Sequence, residues 1–85
     1  MARYRKLFTR ILDGRADSNI RFDDLKGLLN WLGFKERSRG SHHTFIRDGV
    51  EDLINLQRDG HMAKSYQVKQ VREIINKYNL KLEKE

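Results

Sequence analysis

The apolar residues change their spacing twice along the chain, and this change limits the fold more than any other feature of the sequence. Between residues 22 and 33, four leucines recur at the spacing of one face of an α-helix: Leu25, Leu28, Leu29 and Leu32. From residue 34 to residue 57 the pattern alternates with a period of two, which is typical of half-buried β-strands. Helical spacing then returns towards the end, at Val68, Val71, Ile74, Ile75 and Tyr78. The sequence therefore predicts an α+β fold.

Capping residues mark the ends of three predicted helices. The first covers residues 4–12 and ends at Gly14, because glycine readily takes the left-handed conformation of a helix C-terminus. The second begins with Asp23 as its N-cap, and the third begins with Ser65 in the same role. Trp31 lies beside the leucine stripe of the second helix, and we interpret it as a core residue.

The alternating segment is divided by two strong turn signals, Gly40-Ser41 and Asp48-Gly49. Three strands are predicted from it: 34–39, 42–47 and 50–57. We expect an antiparallel three-stranded sheet with helices packed on one face. The chain then has three parts: an N-terminal helical extension (1–21), the principal domain (22–79) and a frayed tail (80–85).

Several functional classes are excluded by what the sequence lacks. The chain contains no cysteine, so it has no disulfide framework, thiolate nucleophile or thiolate metal ligand. It also has no phosphate-binding glycine loop and no Gly-x-Ser-x-Gly elbow. No apolar run approaches the length of a membrane span or follows the basic N-terminus as a secretory signal would. We therefore expect a cytoplasmic protein without a membrane segment or a cofactor.

The charge balance points towards polyanions. Eighteen lysines and arginines against twelve aspartates and glutamates give a formal net charge of +6. Such an excess attracts nucleic acids and speeds encounter with them. A small basic domain with no nucleic-acid role has the same composition, so charge alone leaves the question open.

The residues from Gly40 to Phe45 carry the candidate chemistry. Phe45 is the residue of this strand that most favours the core, and because side chains alternate along a strand, His43 lies on the core side with it. His42 then points to the opposite face, together with basic residues of the preceding strand: Lys35, Arg37 and Arg39. An imidazole both accepts and donates protons at neutral pH, and nearby cations offset the charge that develops on a phosphate. This arrangement predicts metal-independent cleavage of RNA, in which the 2′-hydroxyl attacks the adjacent phosphate.

Each of these residues also has a plain structural interpretation. A surface histidine such as His42 is more often inert than catalytic, and His43 is favoured as a half-buried packing residue. His61 is either a solvated loop residue or a second proton-transfer group. Because His42 and His43 point to opposite faces they cannot chelate one ion, and no metal site is predicted. Other polar residues are interpreted either as RNA contacts or as an ordinary solvated surface: Ser41, Lys64, Lys69 and Arg72.

Two motifs together resemble a known family. Leu32-Gly33-Phe34, followed after an arginine-bearing strand by Gly40-Ser41-His42-His43, resembles the pattern of the HicA toxins. The resemblance covers residues 22 to 78. It implies a fold similar to that of double-stranded-RNA-binding domains and the activity of an mRNA interferase. It also implies that His42 is the catalytic histidine, and that a HicB-like antitoxin covers the site.

The chain departs from that family in two places. Residues 1–21 have no counterpart in the shortest members, so the first helix packs on the domain, mediates homodimerisation or extends the antitoxin contact. Family members often carry a proline and a histidine just after the third strand, whereas residues 57–60 contain no proline and the histidine comes later, at His61.

Three functional hypotheses follow from the sequence. The first is a metal-independent endoribonuclease acting on mRNA, with His42 as general base or acid. The second is a non-catalytic RNA-binding module on the same fold. The third is an interaction protein that docks through its N-terminal amphipathic helix.

Overall fold

The computed structural model of the chain describes residues 3–81. Its elements are α1 (Arg3–Asp13), α2 (Phe22–Trp31), β1 (Lys35–Arg39), β2 (His42–Arg47), β3 (Val50–Leu56), β4 (Arg58–Asp59), β5 (Met62–Ala63) and α3 (Ser65–Tyr78). The predicted α+β order of two helices, three strands and a helix is confirmed. The short antiparallel pair β4–β5 was not predicted, because two-residue strands leave no periodicity in a sequence.

The main sheet has the strand order β1-β2-β3, and both pairs are antiparallel. A two-residue turn joins β1 to β2, and Gly40 takes φ +58° there, which a residue with a Cβ rarely adopts. Gly49 takes φ +87° in the turn between β2 and β3, as its hairpin signal predicts. The register of β2 against β3 shifts between Phe45 and Arg47, which marks a bulge near that second turn.

The sheet has one covered face and one open face. Phe45, Ile54 and Leu56 are fully buried between the sheet and the helices. The side chains that alternate with them on β1 and β2 point away from the helices, and Arg37, Arg39 and His42 are exposed there. We call this second side the open face, and it is formed by Lys35, Arg37, Arg39, His42, Thr44, Ile46, Glu51, Leu53 and Asn55.

Helix α1 belongs to the same hydrophobic core as the rest of the chain. Leu7 and Ile11 pack in one cluster with the buried residues of α2, α3 and the sheet. Gly27 of α2 makes room for α1, because a Cβ at this position would lie 2.1 Å from the hydroxyl of Tyr4. Arg72 of α3 binds the carbonyl of Ile11 in α1 and the carboxylate of Asp17 in the loop that follows.

Four local predictions differ from the structure. Asp23 and Ser65 lie inside the first turns of α2 and α3, and the N-cap positions, Arg21 and Lys64, make no side-chain capping bond. Trp31 is 45 % exposed rather than in the core, and its ring contacts that of Tyr4 at a tilt, with centroids 5.8 Å apart. Leu80 is buried, and its amide donates to the carbonyl of Ile75, so it is part of the packed domain. The remainder of the predicted frayed tail, 82–85, lies outside the described residues.

Across residues 3–81, no helix combines the length and the apolar character needed to cross a lipid bilayer.

Candidate functional site

His42 stands on the open face among cationic side chains. Its Cα pairs with that of Arg39 across the β1–β2 ladder, and Arg37 and Lys35 occupy the next two positions on the same face. The predicted orientation of His42 is confirmed, since the residue is exposed and no helix covers it. A tight turn places this imidazole at the end of the sheet, where a polymer can reach it.

A single hydrogen bond fixes the chemistry of the His42 ring. The side-chain amide of Gln57 donates through Nε2 to Nδ1 of His42 over 3.2 Å. A neutral ring that accepts at Nδ1 carries its proton on Nε2. The nitrogen that faces outward therefore carries an N–H in the neutral ring, and this N–H can donate a hydrogen bond to a phosphate oxygen.

His43 lies on the helix side of the sheet and has a different set of partners. Its Nδ1 is 2.5 Å from Oε2 of Glu36 on β1, which pairs with Phe45 and lies diagonally across from His43 on the same face. The hydroxyl of Ser38 donates to the same carboxylate oxygen and lies 3.1 Å from Nδ1 of His43. The prediction of a half-buried, satisfied His43 is confirmed, since its side chain is 15 % exposed.

The carboxylate of Glu36 is strongly stabilised in its charged form. Partial burial on its own raises the pKa of Glu36, but hydrogen bonds from Ser38, His43 and Lys26 outweigh burial and lower the pKa from 4.5 to about 2. Glu36 therefore stays ionised at neutral pH. The ionised carboxylate accepts, so Nδ1 of His43 donates, and in the neutral form of the ring Nε2 carries the lone pair.

The ring of Phe22 contacts His43 and two cationic side chains near it. The His43 ring meets it edge-on with centroids 5.0 Å apart, and the guanidinium of Arg58 lies 4.5 Å from its centre. Lys26 is 5.8 Å from the same centre and forms an ion pair with Glu36 at 3.3 Å. Phe22 is itself fully buried, so these groups are held on a fixed platform. We call this set the Phe22 cluster: Phe22, Lys26, Glu36, His43 and Arg58.

A shallow cavity of about 310 Å³ opens beside the Phe22 cluster. It is lined by Gly40 and Ser41 of the turn and by His43, Gln57 and Arg58. Nε2 of His43 makes no hydrogen bond to the described residues. Every side-chain nitrogen or oxygen that is fully buried within residues 3–81 does have such a partner, so Nε2 is not fully buried. That nitrogen therefore reaches solvent, and His43 forms part of the cavity wall.

A second hollow, of about 400 Å³, lies at the other end of β1. Three cationic residues contribute to its walls: Lys35, Arg37 and Arg47. The row of cations on β1 thus leads from His42 into a basic depression, which is suited to phosphate groups.

The other residues that the sequence predicts as RNA contacts or proton-transfer groups lie at separate places in the structure. Ser41 joins the cavity beside His43, and His61 is exposed in the β4–β5 turn, where its carbonyl accepts from the amide of Phe22. Lys64 and Lys69 belong to the helix side of the sheet, the first just before α3 and the second exposed on it. Arg72 is bound to Asp17, so it serves packing instead of phosphate binding.

Sequence reasoning missed Glu36, Lys26, Gln57 and Arg58. One signal was available for Glu36, because alternation places it on the same face as Phe45, and a carboxylate on a covered face requires partners. Lys26, Gln57 and Arg58 reach the site from other elements, and no spacing along the chain reveals those distances.

The described residues contain no group of three or more His, Cys, Asp or Glu side chains that converge to hold a metal ion. Comparison with protein-family models, with curated proteins and with solved structures gave no match.

Proposed function

We propose that the open face binds RNA and that His42 promotes its cleavage. The observation that carries this proposal is the position of His42, an exposed imidazole paired directly with Arg39 at one end of a row of cations. Lys35, Arg37 and Arg39 are two residues apart along β1, so the row extends over roughly 13 Å at about 3.3 Å per residue. A row of this length contacts several phosphates of an extended strand.

The proposed reaction needs one proton donor and the 2′-hydroxyl of the substrate. The 2′-oxygen loses its proton to solvent and attacks the adjacent phosphorus, and the bond to the 5′-oxygen breaks. His42 in its imidazolium form supplies from Nε2 the proton that the leaving 5′-oxygen takes up, and the ring becomes neutral. Arg37 and Arg39 offset the charge that develops on the phosphate. The products are a 2′,3′-cyclic phosphate and a 5′-hydroxyl.

The resemblance to the HicA toxins supports the same assignment from the sequence side. The order α2-β1-β2-β3-α3 agrees with the helix-strand-strand-strand-helix order that the resemblance implies. We propose on this basis that the fold is similar to a double-stranded-RNA-binding domain. We further propose that the substrate is mRNA, that the protein acts in the cytoplasm and that a HicB-like antitoxin covers the open face.

Replacing His42 with alanine tests the catalytic proposal. We expect the rate of cleavage of a single-stranded RNA in EDTA to fall at least about 100-fold, the usual contribution of a positioned general acid. His61→Ala is the matched control, because it removes an exposed histidine from a turn outside the open face. Equal rates for the parent and His42→Ala would contradict the proposal.

One observation favours a second function, RNA binding without cleavage. Among the described contacts, the ring of His42 is oriented only by the amide of Gln57 and by no carboxylate. Retention of RNA that depends on salt, with no cleavage products from the parent protein, would establish binding alone.

A further inference from the structure

The Phe22 cluster lies on the helix side of the sheet, and the cleavage proposed for His42 makes no use of it. We propose that the cavity beside it is a separate binding site for a ribose that carries a phosphate next to a free hydroxyl, as in a ribonucleoside 3′-phosphate. Nε2 of His43 accepts a hydrogen bond from the 2′-hydroxyl, and the guanidinium of Arg58 binds the phosphate. The proposal rests on the proposed function only in taking RNA as the source of this group.

The hydrogen-bond roles around His43 determine what the cavity can recognise. Glu36 holds the ring by Nδ1, and Ser38 fixes the same carboxylate oxygen at 2.5 Å. Because Nδ1 donates to Glu36, Nε2 of the neutral ring is an acceptor, and it selects a ligand that offers a hydroxyl donor. His42 has the opposite arrangement, because its Nδ1 accepts from Gln57.

Arg58 supplies the positive charge for the anionic part of the ligand. One of its terminal nitrogens binds Asp23 at 2.7 Å, but the two side chains are 44 % and 67 % exposed. An ion pair this open to water contributes little, so the guanidinium exchanges Asp23 for a phosphate at small cost. The contact with Phe22 keeps the guanidinium plane beside the cavity while it does so.

The position of the two groups determines the chemical class of the ligand. His43 and Arg58 both contact the ring of Phe22 and both line the same cavity, so a hydroxyl and an anion must lie side by side in one ligand. A ribose with a 3′-phosphate has this pair on adjacent carbons, whereas its 2′-deoxy counterpart lacks the hydroxyl. A cavity of about 310 Å³ has room for one nucleotide.

The test is a binding titration on the full chain. Adenosine 3′-monophosphate is added while the ring signals of His43 are followed by NMR, and 2′-deoxyadenosine 3′-monophosphate and inorganic phosphate are titrated in parallel. We expect saturable shifts of the His43 signals, with at least fivefold weaker binding of the 2′-deoxy nucleotide and of phosphate. Equal affinity for the two nucleotides, or no shift of His43, would overturn the proposal.

Variants test the two groups that define this site. Arg58→Gln is expected to weaken binding of the ribonucleotide at least fivefold, and Glu36→Gln is expected to abolish the preference for the 2′-hydroxyl. Lys69→Gln removes an exposed cation of α3 that does not line the cavity, so it is the matched control and leaves binding unchanged. Arg58 is exposed, so its replacement tests the proposal even if Glu36→Gln unfolds the chain. Unchanged affinity in Arg58→Gln counts against it.

His42→Ala distinguishes the two proposals. If the parent cleaves no RNA but the nucleotide still shifts His43 in both proteins, only the cleavage proposal fails. If His42→Ala abolishes cleavage and the nucleotide leaves His43 unperturbed, only the proposal for the cavity fails.

Discussion

Glu36 organises the polar side chains on the helix side of the sheet. It faces the covered side of β1, where a charge without partners is costly, and it receives bonds from Ser38, His43 and Lys26. The same carboxylate determines which nitrogen of His43 carries the proton. One residue that sequence analysis assigns to no site thus controls the chemistry of a histidine on the neighbouring strand.

The depressed pKa of Glu36 predicts a loss of stability in acid. The ionised group stabilises the fold above its ordinary pKa of 4.5, and this contribution disappears as the pH falls through its folded-state value of about 2. At about 1.4 kcal/mol per pH unit, we expect the free energy of unfolding to fall by up to about 3 kcal/mol between pH 5 and pH 2 from this group. Urea unfolding of the parent and of Glu36→Gln at both pH values measures the difference.

Asp23→Asn is the control for this experiment. Its carboxylate pairs with Arg58 but is 67 % exposed, so its removal leaves the acid-dependent loss nearly intact. A variant Glu36→Gln that loses as much stability as the parent between the two pH values would contradict the assignment.

At the scale of elements, Arg72 of α3 binds the end of α1 and the loop that follows it. Arg72 donates to both oxygens of Asp17, at 2.8 and 3.0 Å, and its first terminal nitrogen also donates to the carbonyl of Ile11. The hydrogen bonds to Asp17 raise the pKa of Arg72 further above its ordinary value. Since these bonds join the end of α1, the following loop and α3, the N-terminal segment is attached by charge as well as by its apolar side chains.

Arg72→Lys tests this attachment while keeping the positive charge. An ammonium cannot reproduce the two parallel bonds of a guanidinium, so we expect the free energy of unfolding to fall by about 1 to 3 kcal/mol. Lys69→Arg, on the exposed side of the same helix, is the matched control and should change stability by less than about 0.5 kcal/mol. Chemical unfolding monitored by circular dichroism measures both, and equal stability of Arg72→Lys and the parent would show that the pair is dispensable.

The elements that were predictable are those encoded by periodicity or by a turn residue. The leucine stripe gave α2, alternation gave the three strands, and glycines at 40 and 49 gave the hairpin turns. The face of His42 followed from the burial of Phe45 two residues beyond His43. Contacts between elements were not predictable. Arg72 binds Asp17, and Arg58 contacts Phe22, only because packing brings distant segments together.

At the scale of the whole molecule, the basic residues are divided between the helices and the open face of the sheet. The open face carries three cations on β1, and the exposed Glu51 is the carboxylate that alternation on β3 places on the same side. Lys69 and other basic residues are on the helices instead. Binding of RNA to the open face should therefore depend on a subset of the eighteen basic residues.

The salt dependence of RNA binding measures how many of these basic residues contact phosphates. If three cations contact phosphates, the logarithm of the binding constant should fall with the logarithm of salt concentration with a slope of about −2, at roughly 0.7 per contact for single strands. We expect Arg37→Gln to reduce the slope by about 0.7 and Lys69→Gln to leave it unchanged, both in the His42→Ala background to prevent cleavage. The reverse ranking of these variants would place the RNA on the helix side.

The packing of Phe45 also decides which imidazole meets solvent. Sliding β2 by one residue along β1 would bring His43 to the open face, but it would also turn Phe45, which is fully buried, out into water. The cost of exposing that ring fixes the strand in a single register. Two neighbouring residues of the same type are thereby kept chemically distinct by an aromatic side chain that takes no part in the chemistry of either.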